Sequence, residues 1–294
     1  MASKINEPYE EAFLRNRGII SPEEQLILKD SRVAIAGMGG VGGANLVNLV
    51  RQGVGSFSIA DPDFFEQVNT NRQYGATRLT MGRNKAEVMA EVARSINPEL
   101  ELRVFPELIT PSNQNDFLIG ANVLVDSLDS FNFKTRRHLF AKAAELNIPV
   151  VSAGPIGFGT AWLIFHPKGM SFDEYMDIND SMEEDEAFAA FIVGVAPAMV
   201  HLSYLDPKFV DIEAKFGPSV SSACFLSAGV SGMEVIRLLL DRQGTKFVPE
   251  YQQFDPYLGK FKSGRLRWGN RGLIQRIKRW FIVRLLRRSA KSRS

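Results

Sequence analysis

Glycines with the spacing of a phosphate-binding turn follow a short apolar run, residues 33–36. A buried parallel strand that turns tightly into a helix is typical of this pattern. Gly37 would permit the turn, and Gly42 would let the helix pack closely on the strand. Gly39 and Gly40 would let backbone N–H groups approach a phosphate. Alone, this G-x-G-x-x-G spacing is a weak indication, because it arises by chance and serves several nucleotides.

Charged and amide side chains follow the glycines closely. Asp61 directly follows a predicted second strand, residues 57–60. It lies about 20 residues beyond the glycines, where an acidic residue of such folds accepts a hydrogen bond from a ribose hydroxyl. Further along lie Asn69, Asn71, Arg72, Gln73 and Lys85. Cleavage of a triphosphate moves negative charge onto the leaving pyrophosphate, whereas hydride transfer does not. Cations such as Arg72 and Lys85 would stabilise this charge. The pattern therefore favours ATP over a nicotinamide dinucleotide.

Four blocks of sequence resemble the ThiF/MoeB/HesA adenylyltransferases, the bacterial relatives of ubiquitin-activating enzymes. The blocks are residues 37–42, 61–63, 69–73 and 82–85, and the resemblance covers roughly residues 14–240. It implies adenylation of a carboxylate with ATP and magnesium. It also implies that Asn69 and Asn71 position the triphosphate, with Gln73 in the same nucleotide-binding set.

The resemblance also implies a metal ligand and a residue that acts across a dimer. Asp126 and Asp129 follow a predicted strand, residues 122–125, and the second aspartate of such a pair holds magnesium in the family, which corresponds to Asp129. Asp126 is better interpreted as a carboxylate that ties its loop. Near the N-terminus, Arg15 lies where an arginine of one family subunit reaches the nucleotide of its partner, with Arg17 close by. A homodimer is expected, although an ordinary surface arginine is an equally good interpretation of Arg15.

The single cysteine, Cys224, is predicted to have no catalytic role. It lies at the start of an apolar predicted helix, residues 220–240, where a cysteine is usually a buried small side chain. Relatives that form a thioester use a cysteine in an earlier loop, which this chain lacks.

The acid to be adenylated stays open. Family members act on the C-terminal glycine of ubiquitin-like or sulfur-carrier proteins, on a peptide C-terminus, or on a threonylcarbamoyl group of tRNA. Two other functions remain as alternatives: an NAD-dependent oxidoreductase that uses the same glycine loop, and a nucleotide-binding partner subunit without chemistry of its own.

The element pattern predicts a single α/β domain over residues 1–264. Alternating strands and helices indicate a Rossmann-like, doubly wound sheet that is mixed but mostly parallel. Residues 167–218 interrupt the pattern with an acid-rich segment and an apolar stretch, which we interpret as a mostly helical insertion over the active-site cleft. Short strands near residues 247–248, 252–254 and 266–268 would close the domain.

The C-terminal tail, residues 265–294, differs from the rest in charge. It holds 11 Lys and Arg and no Asp or Glu, which leaves 24 basic and 33 acidic residues elsewhere in a chain of net charge +2. A basic helix is predicted over residues 273–288, and an anionic membrane, RNA phosphates or the protein itself could each be its partner. The charge asymmetry leads to the expectation that the tail binds a polyanion rather than supporting the fold.

No N-terminal signal pattern and no apolar run near the ~20 residues of a membrane span is visible in the 294 residues. The expected location is the cytoplasm, with peripheral membrane attachment if the tail binds anionic lipid.

Overall fold

The computed structural model describes residues 9–291, in which eight strands form one sheet ordered β3-β2-β1-β4-β5-β6-β7-β8. The first five in that order pair in parallel, and the last three join antiparallel. The predicted mixed, mostly parallel, doubly wound sheet is confirmed. The strands are β1 Arg32–Ala36, β2 Ser56–Ala60, β3 Glu101–Phe105, β4 Val123–Asp126, β5 Val150–Ile156, β6 Gly159–Phe165, β7 Glu250–Asp255 and β8 Lys260–Arg265.

Helices cover both faces of the sheet. They are α1 Tyr9–Ala12, α2 Pro22–Asp30, α3 Gly40–Arg51, α4 Lys85–Ile96, α5 Gln114–Leu118, α6 Phe133–Glu145, α7 Phe172–Met176, α8 Glu184–Val195, α9 Ser221–Leu239 and α10 Leu273–Lys291. Alternate residues of β1 point to opposite faces: Val33 and Ile35 belong to one buried apolar cluster, Ala34 and Ala36 to the other. Every residue of β1 is buried, which explains why residues 33–36 form a continuous apolar run in the sequence.

Some elements differ from the sequence predictions. The helix that follows the turn begins at Gly40, so it includes part of the glycine cluster. Residues 266–268, predicted as a strand, lie outside the strands, and the short helix α5 was not predicted. The insertion is helical in α7 and α8, whereas residues 196–220 hold only 3-10 turns at Val200–Ser203 and Pro207–Phe209.

Helix α9 is mostly apolar, although it contains Glu234 and Arg237. An 18-residue window of this 19-residue helix has a mean hydropathy of 1.3, so length and composition alone would let it cross a membrane, contrary to the expectation that no such run exists. Half of it is buried, and it packs on α3, β5 and β6. These contacts make it a core helix of the domain.

The expectation that the basic tail does not support the fold is wrong. Helix α10 packs on α8, and its Ile282 and Leu286 are buried in the same apolar cluster as α8. Arg279 forms an ion pair with Asp177, with 2.6 Å between Nη1 and Oδ2, and Arg287 pairs with Asp185 at the same distance. Both aspartates belong to the acid-rich insertion, so the basic helix and the acidic segment are partners within the chain.

Candidate active site

A cavity of about 400 Å³ opens where β1, β2 and β4 end at their carboxyl edge. Ligands of doubly wound sheets bind at this edge, where the strand order reverses between β1 and β4. We call its polar lining the floor: Gly37, Gly39, Gly40, Asp61, Arg72, Gln73, Lys85 and Asp129. Eight of the residues predicted from the sequence for the nucleotide site are thus brought together.

The glycine turn has the geometry that a phosphate loop needs. Gly37 has φ +94°, in the left-handed region that favours glycine. A Cβ on Gly42 would overlap the carbonyl oxygen of Gly37, so the predicted role of Gly42 in close helix packing is confirmed. Gly42 does not line the cavity itself. Gly40 does, and it lies in the first turn of α3, where the amino end of a helix favours binding of an anion.

The carboxylate of Asp61 holds the glycine turn in shape. Its Oδ2 accepts a hydrogen bond from the backbone N–H of Met38 at 2.7 Å, and its Oδ1 accepts one from Asp63 at 2.9 Å. Burial raises the pKa of this carboxyl. Each carboxylate oxygen can accept a second hydrogen bond, so contact with a ribose hydroxyl remains compatible with these bonds and stays a prediction.

Lys85 is a buried cation at the amino end of α4. Its side chain is 8% exposed, and Nζ donates to Asp63 Oδ2 at 3.0 Å. A cation is unfavourable at the positive end of a helix, so this position suggests an anion nearby. Arg72 also lines the cavity, with Nη1 donating to Val68 O and to Asn71 Oδ1.

The two asparagines predicted to position a triphosphate do not line the cavity. Asn69 Oδ1 accepts from the backbone N–H of Glu66 at 3.0 Å, and Asn71 Nδ2 donates to the carbonyl of Ser219 at 2.9 Å. The amide of Asn69 thus closes a capping box on the 3-10 turn Gln67–Asn69, and the amide of Asn71 holds the backbone just before α9. Gln73 lies inside, beside Gly39, and its buried Oε1 has no hydrogen-bond partner among the described residues.

The two aspartates after β4 have different environments. Asp126 is buried: its Oδ2 pairs with Arg136 Nε at 2.8 Å and accepts from Ser152 Oγ at 2.7 Å. Its Oδ1 accepts from the backbone N–H of Leu128, which confirms the interpretation of Asp126 as loop-tying. Asp129 is exposed on the floor, and its Oδ1 accepts from Phe131 N at 3.0 Å.

The donor set fits a magnesium ion held mainly by a nucleotide. Magnesium usually takes one or two carboxylates together with phosphates and water. Asp129 offers one oxygen with no backbone donor on it, and residues 9–291 contain no cluster of three His, Cys, Asp or Glu that could hold a metal alone. One carboxylate beside a phosphate site meets that requirement.

Arg15 is exposed and does not line the cavity of its own chain. It lies in a 3-10 turn, Leu14–Asn16, whose Asn16 donates to Gln25 Oε1 at 2.8 Å and to Gln52 O at 3.2 Å. The turn is therefore anchored to the domain, and its arginine lies outside the lining of this cavity. Its predicted contact with a partner's nucleotide stays a prediction.

Cys224 is buried, as its interpretation as a small core side chain expected. Its position was not anticipated: it lines the cavity behind the glycine turn, where a Cβ on Gly40 would lie 2.8 Å from its Sγ. Burial raises the pKa of the thiol, which disfavours the thiolate that a thioester-forming cysteine requires.

Sequence reasoning expected the insertion, residues 167–218, to lie over the cleft, but it named none of the side chains that line the cavity there and did not expect α10 beside them. We call this lining the cover: Phe131, Phe188, Phe191, Ile192, Val195, His201, Leu202, Leu205, Val210, Phe216, Ile282, Leu285 and Leu286. It combines α8, the irregular segment after it and α10. The apolar stretch after the acid-rich segment was the signal, but its partner in α10 lies about 90 residues away along the chain.

A family model described as the ThiF family matches residues 13–271. A tRNA threonylcarbamoyladenosine dehydratase of Haemophilus influenzae is 33% identical over 150 residues, which are 51% of this chain and 57% of that protein. A sulfur carrier protein ThiS adenylyltransferase of Escherichia coli is 31% identical over 148 residues, 50% of this chain and 58% of that protein. The chain thus spans less than three fifths of the length of these curated relatives.

Two solved structures share the fold at low identity. Escherichia coli MccB, solved with ATP, has a TM-score of 0.67 at 19% identity and covers 93% of this chain and 75% of that one. PaaA has a TM-score of 0.65 at 18% identity and covers 90% of this chain and 76% of that one. At such identities the likeness concerns the fold alone.

Proposed function

Because the chain belongs to the ThiF family, we propose that its cavity adenylates a carboxylate with ATP and magnesium. The observation that carries the proposal is Lys85, a buried cation at the amino end of α4 that lines one cavity with the glycine turn. Burial and the helix dipole both oppose a cation there. The bond to Asp63 uses one of the three ammonium donors. A phosphate chain bound beside the glycine turn would pair with the positive charge that remains on Lys85.

The floor supplies what the reaction requires. A carboxylate oxygen attacks the α-phosphorus, a bond forms between them, and the bond to the bridging oxygen breaks as pyrophosphate leaves with the electron pair. Lys85 and Arg72 would stabilise the charge that moves onto the pyrophosphate, and the N–H groups of Gly39 and Gly40 would hold phosphate oxygens. No general base is needed, because a carboxylic acid is ionised near neutral pH.

Asp129 would hold the magnesium ion through its free carboxylate oxygen. When bound, the ion supplies positive charge to the phosphate oxygens. Asp61 would take the ribose, with its orientation fixed by the backbone N–H groups of Met38 and Asp63. Gln73, whose buried Oε1 has no partner among the described residues, would complete the contacts of the nucleotide.

The names of the relatives suggest substrates. They refer to a sulfur carrier protein, to a SAMP-activating enzyme and to a modified tRNA nucleoside. A ubiquitin-like protein, a peptide and a tRNA threonylcarbamoyl group therefore remain proposals for this chain, without a thioester at Cys224.

A homodimer would let Arg15 act, because this residue does not line its own cavity. Suppose that Arg15 of one subunit reaches the cavity of its partner. In a mixed dimer, the cavity of the Arg15→Ala subunit then has its own Lys85 and receives Arg15 from the Lys85→Ala subunit. A 1:1 mixture of the two inactive variants, allowed to exchange subunits, should recover about a quarter of wild-type activity. No recovery in subunits that demonstrably exchange would contradict the contact.

The outer face of α10 is a second surface, for which we favour an anionic membrane. Opposite the buried residues it exposes Ile277, Trp280 and Phe281, at 58%, 61% and 51% exposure, beside arginines such as Arg284. Exposed aromatic and aliphatic side chains suit a lipid interface better than RNA phosphates. Binding to anionic vesicles should keep a salt-resistant part that Trp280→Ala removes, whereas salt-sensitive binding to tRNA alone would favour RNA.

Calorimetric titration with ATP and with NAD tests the nucleotide. The proposal predicts ATP binding that weakens in Lys85→Met, and tight NAD binding without ATP binding would favour the oxidoreductase alternative. ATP binding without turnover of any acid would favour the partner-subunit alternative.

A further inference from the structure

The cavity has two chemically different ends, and their junction is defined by Arg136. Its Nη2 donates to the carbonyls of Leu128 and Asp129 on the floor side, at 2.8 and 3.2 Å. Its guanidinium also stacks over the ring of Phe191 in the cover, 4.6 Å from the centroid. Nη1 has no hydrogen-bond partner among the described residues. The floor with its nucleotide residues and the apolar cover therefore meet at Arg136, whose Nε forms a buried ion pair with Asp126 while its Nη1 remains free, within residues 9–291, for a further acceptor.

The cover is a wall of hydrocarbon that begins next to the reacting end. Phe131, two residues after Asp129, stacks on Phe188 of α8 with 4.7 Å between ring centroids. From there the lining continues through Ile192 and Val195 to Leu285 and Leu286 of α10. The whole cavity of about 400 Å³, floor and cover together, is in the size range of small-molecule sites, which are mostly apolar with a few polar groups.

The charged groups near the cover do not make it polar. His201 is buried, and desolvation lowers its pKa to about 4, so it is neutral near neutral pH. Lys215 lies at the rim, with its side chain 61% exposed and Nζ 3.8 Å from Glu184. Glycine residues, as at the end of a ubiquitin-like protein, would leave these walls in contact with water.

We propose that the acid adenylated here is a small carboxylic acid with a hydrocarbon body, whose carboxylate lies at the junction near Arg136 and whose body fills the cover. The proposal rests on the adenylation function and narrows its substrate. Each methylene buried against the cover should tighten binding about fourfold. Straight alkyl chains and aromatic rings would both bind by burial of hydrocarbon, and the experiment below shows which of the two the site prefers.

The test uses the full chain with an ATP analogue that has a methylene bridge between its α and β phosphates. Butyrate, octanoate, 3-phenylpropanoate and a glycine-ended peptide are titrated by calorimetry, and the same acids are assayed for pyrophosphate exchange with ATP. We expect octanoate to bind on the order of 100-fold more tightly than butyrate. A stronger response to phenylpropanoate would identify an aromatic body. Equal affinity for butyrate and octanoate, or preference for the peptide, would overturn the proposal.

Matched tryptophan variants locate the site. Ile192→Trp and Leu285→Trp fill the cover from half-buried positions on α8 and α10, whereas Ile274→Trp changes an exposed position of α10 outside the cavity. The first two should lose octanoate affinity by about tenfold or more, and the control should not. ATP affinity should stay within about twofold in all three. If a filling variant fails to fold, the acid series on the wild-type chain still decides.

The two proposals fail in different ways. Length-dependent binding of octanoate without pyrophosphate exchange would refute adenylation and leave the apolar acid site in place. Exchange with the glycine-ended peptide, together with no binding of octanoate, would refute the apolar acid and leave adenylation in place.

Discussion

The floor and the cover of the cavity are built by different means. The floor uses backbone turns and charges at strand ends, and its parts lie within the first half of the chain: Gly37, Asp61, Lys85 and Asp129. The cover uses apolar side chains from segments far apart in sequence, α8 and α10. The floor would serve a nucleotide whatever the acid, so in the proposed reaction the cover selects the acid.

The two regions also differ in how they are held. The floor is tied by hydrogen bonds between side chains and backbone, as Asp61 shows with the backbone N–H groups of Met38 and Asp63. The cover is held by burial of Ile282 and Leu286 and by ion pairs such as Arg279 with Asp177. Changes to the floor should therefore affect chemistry, and changes to the cover should affect stability and acid binding.

The largest effect is expected at Lys85. Lys85→Met should lower pyrophosphate exchange about 1000-fold, because a cation that meets charge developing on the leaving group is lost. Lys168→Met, at an exposed lysine outside the cavity, is the matched control and should keep wild-type exchange. Exchange within a few fold of wild type in Lys85→Met would show that the floor cation is not catalytic.

Removal of the proposed magnesium ligand should have the next largest effect. Asp129→Ala should lose exchange by about 100-fold or more while ATP binding, measured by calorimetry, falls less. Asp116→Ala, at an exposed aspartate of α5, serves as the control. If Asp129→Ala exchanges nearly as wild type, the metal is held elsewhere.

The cover should respond in stability. Leu286→Ala removes a buried side chain of α10 and should lower the free energy of unfolding by about 2–4 kcal/mol in urea titrations. Ile277→Ala, on the exposed face of the same helix, should change it by less than about 0.5 kcal/mol. Equal effects of the two substitutions would mean that α10 does not pack as described.

Acid should destabilise the cover through His201. Burial lowers its pKa from 6.5 to about 4, so between these values the unfolded chain binds a proton that the folded chain excludes. Stability should therefore fall as pH drops through this window, by roughly 2–3 kcal/mol. Urea unfolding at about pH 7 and about pH 4.5 measures the loss. His201→Gln should reduce it, and an unchanged loss would assign the acid sensitivity to other groups.

The smallest effect is expected at Cys224. Cys224→Ala should retain turnover, because the thiol is buried and its raised pKa disfavours the thiolate. A covalent adduct on Cys224, trapped by mass spectrometry during turnover, would contradict this.

The sequence allowed much of the floor to be predicted, because glycine turns and strand ends have local backbone consequences. Gly37 requires positive φ, and the apolar run before it forms a strand wherever the sheet is covered on both faces. Asn69 and Asn71 were predicted to position a triphosphate, but their hydrogen bonds to backbone groups could not be predicted, since polar side chains bind backbone groups as readily as ligands. The position of the insertion over the cleft could be predicted, but its pairing with α10 could not, because the contact of α8 with α10 depends on tertiary packing. The charge of the tail also led to a wrong expectation about its role in the fold. Arginines of α10 pair with aspartates of the acid-rich insertion in the same chain.

Pyrophosphate exchange with ATP tests the central claim most directly. We predict that the wild-type chain exchanges labelled pyrophosphate into ATP only when both magnesium and a suitable carboxylic acid are present, and that Lys85→Met abolishes the exchange. An acid panel that spans apolar acids, glycine-ended peptides and threonylcarbamoylated tRNA covers the proposed substrates. Exchange that does not depend on the acid, or exchange that persists in Lys85→Met, would contradict adenylation on this floor.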